Sequence, residues 1–287
     1  EGGYAVQSAV AGELIEALKA HGGMRAAATV FTTEQGNPMS WPTNDDTSAT
    51  GELIAENTTA TDSDPSFGTI ALNVYKFSSK VITVPIELLQ DATIDIAAVV
   101  NQMLATRLAR ATNTYFTTGT GSSQPRGIVT AAASGKVGTT GQTTTVIYDD
   151  LVDLEHSVDP AYRTGAGFMM NDASIKVIRK IKDSEGRPIF VPGYEQGVPG
   201  GAPSTLLGRP VSINQDIATM AANAKSILFG NFKNYRIRDA MQVTLFQFRD
   251  SAYAKKGQVG FLAWMRSGGN LIDVSGATVK YYQNSAT

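Results

Sequence analysis

Between residues 94 and 116 the apolar positions Ile96, Ala97, Val100, Met103, Leu104, Leu108, Ala111 and Tyr115 recur at helical spacing, with no Pro or Gly among them. The spacing predicts one rigid spine helix about 34 Å long. Asp91, Thr93 and Asp95 at its start, and Arg107 and Arg110 toward its end, complement the helix dipole. Just upstream the period changes to two. "TIALNVYKF" alternates Ile70, Leu72 and Val74 on one face, and "SSKVITVPI" repeats the alternation with Ile82, Val84 and Ile86. These runs predict an extended two-stranded arm with a polar tip near residues 59–68. An isolated ribbon is marginal in water, so a neighbouring subunit is its expected cover. The preceding tract, "EQGNPMSWPTNDDTSATGELIAENTTATDSDPSFG", is too polar to bury a core of its own. Nearer the start, "SAVAGELIEALKA" carries Val10, Leu14, Ile15 and Leu18 on one helical face, with Ser8 as cap and Gly22-Gly23 as stop.

Beyond the spine helix, "TTGTGSSQPRG" reads as a turn. Gly119 is placed for a left-handed C-cap, and Pro125 prevents the helix from resuming. A phosphate-cradling loop follows a strand and opens a helix, because the helix N-terminus supplies free N–H groups. Here the order is reversed, so the turn is read as structural. The second half then alternates. "YDDLVDLEHSVDP" predicts a helix with Leu151 and Leu154 inward, "GFMMN" a buried strand, and "DASIKVIRKIKD" a helix capped by Asp172 with Ile175, Ile178 and Ile181 inward. A Gly- and Pro-rich excursion ends in the strand "PVSIN". "SILFGNF", "YRIRDAMQVTLFQF" and the paired runs "QVGFLAWMR" and "LIDVSGATVKYY" are β-rich.

Composition narrows the function classes. Lys and Arg number 24 against 26 Asp and Glu, a net charge of −2, without the basic excess of a dedicated nucleic-acid binder. With no cysteine there is no disulfide framework, thiolate zinc site or Cys nucleophile, which fits a reducing compartment. No apolar run approaches the length of a membrane span, and "EGGYAVQSAVAGELIEALKAHGG" lacks the layout of a signal peptide.

Familiar catalytic layouts fail one by one. His21 and His156 have no second His or Cys at ligand spacing, and no H-E-x-x-H, G-x-S-x-G or S-x-x-K pattern occurs. "SGKVGTTG" copies part of a P-loop, but Val137 stands where Ser or Thr is required, so a surface loop is expected. Asp62 and Asp64 open like a calcium loop but lack the later glycine and the bidentate acid. No enzyme activity and no cofactor are expected.

The ordered series "EGGYAV", "GELIAEN", "KVITVPIELLQDATIDIAAVVNQMLATRLARATNTYFTTGTGSSQPRGIV", "GFMMNDASIKVIRKIKDSEGRPIF" and "LLGRPVSIN" resembles the major capsid proteins of tailed bacteriophages with the HK97 fold. The helix, then G-T-G, then Q-P-x-G is its most specific part. The resemblance implies an α+β capsid fold: an N-terminal arm over 1–47, an E-loop hairpin over 48–79, a P-domain over 80–140 and 234–287, and an A-domain over 141–233. Trp264 and Phe261 then belong to the P-domain core, and Gly119, Gly121, Pro125 and Gly127 form a structural turn leaving the spine.

The implied function is self-assembly into an icosahedral head around double-stranded DNA. An encapsulin-like nanocompartment shell is the alternative. Implied partners are further copies as pentamers and hexamers, with portal, scaffold, protease and cement proteins, weak non-specific contact with packaged DNA, and no membrane. The location is the virion, assembled in the bacterial host cytoplasm. Family members often lose an N-terminal scaffolding segment to a protease, so Glu1 is an expected mature N-terminus. Glu52, Glu56, Asp62, Asp64, Lys76 and Lys80 are the candidate intersubunit contacts. One branch of the family crosslinks an E-loop lysine to an asparagine beside a glutamate. Residues 48–75 hold no lysine, and "YAKKGQVGFLAWMR" lacks both Asn and Glu, so a non-covalent shell is expected.

Overall fold

The computed structural model describes residues 23–45, 50–61, 66–91, 95–183, 185–186 and 205–287. The helix expected over 8–20, His21, Asp62, Asp64, Thr93 and most of the Gly- and Pro-rich excursion lie outside them. The described chain begins with helix α1 (Gly23–Ala27) and strand β1 (Thr29–Thr33), runs out along β2 (Ser40–Asp45) and returns along β3 (Ser66–Ala71). Strands β4 (Tyr75–Ser78) and β5 (Ile82–Pro85) precede the short helix α2 (Ile86–Asp91) and the spine helix α3 (Ile96–Thr118). Next come α4 (Ile128–Ala131), β6 (Ala133–Val137), α5 (Tyr148–Ser157), β7 (Gly167–Met170) and α6 (Asp172–Ile178). After β8 (Thr205–Leu206), β9 (Arg209–Ile213) and β10 (Lys225–Gly230) come β11 (Tyr235–Phe248), helix α7 (Ser251–Ala254), β12 (Gln258–Leu271) and β13 (Val279–Gln283).

Two sheets and one ribbon result. The first sheet has the order β1-β11-β12-β4, with β5 also paired to β12. Val259, Phe261, Ala263 and Met265 alternate along β12 on the face that packs, with Phe77, Val84, Val243 and Leu245, against Val100, Leu104 and Leu108 of α3. The second sheet has the order β6-β13-β10-β7-β9-β8. Phe168, Met170, Ile227, Phe229 and Tyr282 face a core with Leu151 and Leu154 of α5. Met169, Leu228 and Val279 instead join Phe116, Ile128, Tyr235 and Ile237 in a core that binds the two sheets together. Strand β7 is buried at all four positions, as a strand covered on both faces must be.

Several expectations need correction. The ribbon pairs β2 with β3, Ser40 opposite Ala71 through Asp45 opposite Ser66, whereas the run Ile82–Pro85 lies in the first sheet. The polar character of "SWPTND" concealed a strand whose ladder, not its core, holds it. Strand β13 does not pair with β12; it sits between β10 and the parallel β6. The six-stranded sheet therefore draws strands from segments assigned to the P-domain as well as from 141–233. Ser134–Val137, read as surface loop, belongs to β6, where a Cβ on Gly135 would lie 2.6 Å from Ser157 Oγ. Lys136 Nζ lies 2.5 Å from Asp153 and 3.8 Å from Asp150, so this lysine serves α5 rather than a phosphate.

Spine helix α3 starts where Asp95 accepts hydrogen bonds from the N–H groups of Ala97 and Ala98. Its buried face runs through Val100, Leu104, Ala105, Leu108, Ala109, Thr112 and Phe116, while Met103 and Tyr115 are exposed. The small residues Ala105, Ala109 and Thr112 let the helix approach the sheet, which rotates the face away from the bulkier positions. Arg110 stands about two turns before the helix end, beyond the reach of the terminal dipole. Helix α6 is capped by Asn171, whose Oδ1 accepts from Ala173 N, rather than by Asp172.

Candidate intersubunit surfaces

The bend after the spine is fixed by close backbone approach. Gly119 is extended (φ −55°, ψ 143°), not left-handed, and a Cβ there would lie 2.2 Å from Pro125 O and 2.4 Å from Tyr115 O. Gly121 is the left-handed residue, at φ 85°. Gly127 donates to Gly119 O at 2.8 Å, and a Cβ on it would meet Thr117 and Gly119 backbone atoms at 2.5–2.6 Å. Pro125 is buried in the turn. Tyr235, fully buried with its pKa raised by desolvation, stays neutral and donates to Arg126 O at 2.8 Å. Arg126 N donates to Gly269 O at 3.1 Å, and Gly119 N to Tyr115 O at 2.9 Å. The turn's N–H groups at 119, 126 and 127 are thus spent on carbonyls, which leaves them unavailable to a phosphate.

The ribbon carries the most exposed apolar side chains. Leu53 is wholly exposed, Phe67 is 75% exposed, and Ile54 is exposed beside Leu53. At its far end the Glu52 carboxylate accepts hydrogen bonds from both Thr61 N and Thr61 Oγ1, and these bonds lower its pKa. Glu56 is exposed. Lys76 lies on β4 with Nζ 4.0 Å above the Trp264 ring, and Lys80 occupies the turn before β5 at φ 60°. The four described candidates therefore fall in two places: the two glutamates lie between β2 and β3, and the two lysines sit on the first sheet or in the turn between its strands β4 and β5. Phe261 is in the core as expected, whereas Trp264 points to the opposite face of β12 and is half-buried under Lys76. The strand's alternation puts odd-numbered residues inward there, and 264 is even.

At the ribbon's base lies a residue the sequence reading passed over. Arg238 of β11 is 4% exposed and donates from Nε to Thr33 Oγ1, from Nη1 to Asn37 O and Leu72 O, and from Nη2 to Gln35 O, at 2.8–3.2 Å. The neighbouring Asp239 pairs with Arg25 of α1 and accepts from Ser267 Oγ at 2.6 Å. The signal was present in "YRIRDAM", charges inside an otherwise apolar strand.

At the junction of the two sheets, Asn113 Nδ2 on α3 donates to Asn214 Oδ1 at 3.0 Å and to Asp216, while Asn214 Nδ2 donates to Thr117 Oγ1 at 2.9 Å. His156 is exposed on α5. Among the described residues no group of three His, Cys, Asp or Glu could hold a metal, and no helix is long and apolar enough to cross a membrane.

Comparison with known proteins gives these surfaces a setting. The phage capsid family model matches residues 2–281. No curated protein matches. Among solved structures, the chain superposes on "Capsid of native GTA particle computed with C5 symmetry" with a TM-score of 0.78 and 24% identity, covering 98% of this chain and 92% of that one. The capsid of the empty GTA particle gives 0.74 and 27%, covering 93% and 90%. A chain from Mycobacterium phage Adephagia gives 0.67 and 13%, covering 93% and 91%. The chain belongs to the phage capsid family and is a structural major capsid protein with the HK97-like fold, located in the capsid of a phage head.

Proposed function

We propose that copies of this chain assemble without covalent crosslinks into a closed icosahedral shell of pentamers and hexamers around double-stranded DNA. The observation that carries this reading is the β2–β3 ribbon, which leaves the body with Leu53, Ile54 and Phe67 exposed. A ribbon of two short strands gains stability when a second surface covers it, and a neighbouring copy supplies that surface. The capsids of the GTA particles, which were computed with five-fold symmetry, support pentamers as one of the building units. In this reading residues 1–47 form the N-terminal arm, 48–79 the E-loop, 80–140 with 234–287 the P-domain and 141–233 the A-domain.

Glu52, Glu56, Asp62, Asp64, Lys76 and Lys80 contribute intersubunit contacts, with Glu52 also closing its own loop onto Thr61. Gly119, Gly121, Pro125 and Gly127 act as the structural turn. Portal, scaffold, protease and cement proteins complete the head, which forms in the bacterial host cytoplasm. The near-neutral net charge of −2 suits a wall that touches packaged DNA weakly. The subunit works by assembly rather than by catalysis. Negative-stain electron microscopy of the purified protein, with sedimentation of the same sample, tests the reading. Closed particles are expected; a uniform small species at every salt concentration would refute it.

A further inference from the structure

The ribbon leaves the body after Gln35–Asn37 and returns at Leu72, and one side chain touches both passages. Arg238 spends four of its guanidinium donors on Thr33 Oγ1 and on the carbonyls of Gln35, Asn37 and Leu72. Its acceptors are all neutral, and three of the four are carbonyl dipoles that belong to the ribbon's two roots. The surrounding contacts close on the same point. Leu72 N donates to Met39 O at 2.7 Å, joining the two roots, and Asn270 Nδ2 donates to Ala71 O at 2.9 Å. Gly268 on β12 lies so near Asn73 that a Cβ there would stand 1.8 Å from its carbonyl oxygen. Gly36 similarly leaves room for Val74 and for the Arg266 guanidinium. The body is thus carved to receive the ribbon's roots, and a planar fork bridges them.

We propose that Arg238 is a positioning residue that sets the direction in which the β2–β3 ribbon leaves the subunit. Through that direction it sets where the ribbon meets a neighbouring copy. The second clause rests on the assembly reading above. The leverage is large: a strand of six residues spans about 20 Å, so a tilt of about 10° at the root moves its far end by about 3.5 Å. A lysine keeps the charge and much of the length, but its point-like ammonium lacks the planar fork that reaches both roots at once.

The absence of cysteine from the chain permits a direct test. Spin labels are placed through Phe67→Cys toward the far end of β3 and Thr244→Cys on β11, both exposed, and the distance distribution is measured by pulsed electron resonance on the unassembled full chain. The parent background gives a narrow distribution. Arg238→Lys broadens it about twofold, while Leu108→Ala, which loosens the spine core, lowers the melting temperature and leaves the width unchanged. A distribution as narrow in Arg238→Lys as in the parent overturns the proposal. Arg238→Met serves as the stronger variant where it folds; the lysine variant decides the matter where it does not.

The second arm images particles. Arg238→Lys is expected to give few or misshapen shells, and shells of parental size and yield would overturn the link to assembly. If the parent chain forms no shells either, the assembly reading fails instead, and the spin-label arm still decides whether Arg238 positions the ribbon.

Discussion

Gly127 and Gly119 act through the side chain they lack. A methyl group on Gly127 would press on the backbone of Thr117 and Gly119 at under 3 Å, where neither partner is a flexible tip. Gly127→Ala is therefore expected to cost about 2–3 kcal/mol in chemical unfolding. Gly51→Ala, with open space around the new carbon, leaves the midpoint unchanged. The sequence identified these glycines as a turn but assigned Gly119 the wrong reason, because a left-handed cap and a close approach both favour glycine and only coordinates separate them. At the ribbon's far end, the bonds from Thr61 hold Glu52 below its ordinary pKa of 4.5. A depressed carboxylate contributes its bonding above its unfolded pKa and loses it as pH falls through the lower folded value. The Glu52–Thr61 closure is thus expected to persist from neutral pH through the ordinary glutamate range and to open only as pH falls through the lowered folded value. Carboxyl chemical shifts in a pH titration report that opening.

The spine helix was the most legible element, since twenty-three residues without Gly or Pro leave little alternative. Its start was read less well: the helix was expected from residue 94 with Asp95 serving the dipole, whereas it begins at Ile96 with Asp95 as its cap. Asp95→Ala removes the acceptor for Ala97 and Ala98 N–H and is expected to cost about 1 kcal/mol. Leu108→Ala, fully buried against the first sheet, is expected to cost about 3 kcal/mol, and Met103→Ala on the exposed side within about 0.5 kcal/mol. Thermal and urea unfolding of the three variants check this ranking, which reverses the weight that periodicity alone gives Met103. Periodicity counts apolar residues but cannot see that Ala105 and Ala109 lie on the buried face while Met103 does not. Strand β2 was hidden for a related reason: Ser, Thr, Asn and Asp are poor strand formers, and only their pairing with β3 makes "SWPTND" extended. Arg238 was overlooked, although its charge stands inside an apolar strand, because three of its four acceptors are backbone carbonyls far away in sequence, which carry no side-chain signature.

At the scale of the molecule, the ribbon's apolar side chains separate folding from assembly. Leu53→Ser with Phe67→Ser is expected to leave the melting temperature of the unassembled chain within about 1 °C while sharply reducing particle yield in sedimentation, because neither residue is covered within its own subunit. Boiled particles are expected to run on a denaturing gel as one band near 30.4 kDa, and a ladder of multiples would contradict a non-covalent shell. The order of strands in the second sheet also bears on how such subunits are made. Strand β13, from residues 279–283, occupies the place between β6 and β10, so the sheet is split until that strand arrives. A chain whose β13 has not docked can still pair β11 with β12, yet it leaves the facing edges of β6 and β10 open. Open edges of that kind are templates for any stray strand, so docking of β13 is also what protects the subunit against edge-to-edge aggregation.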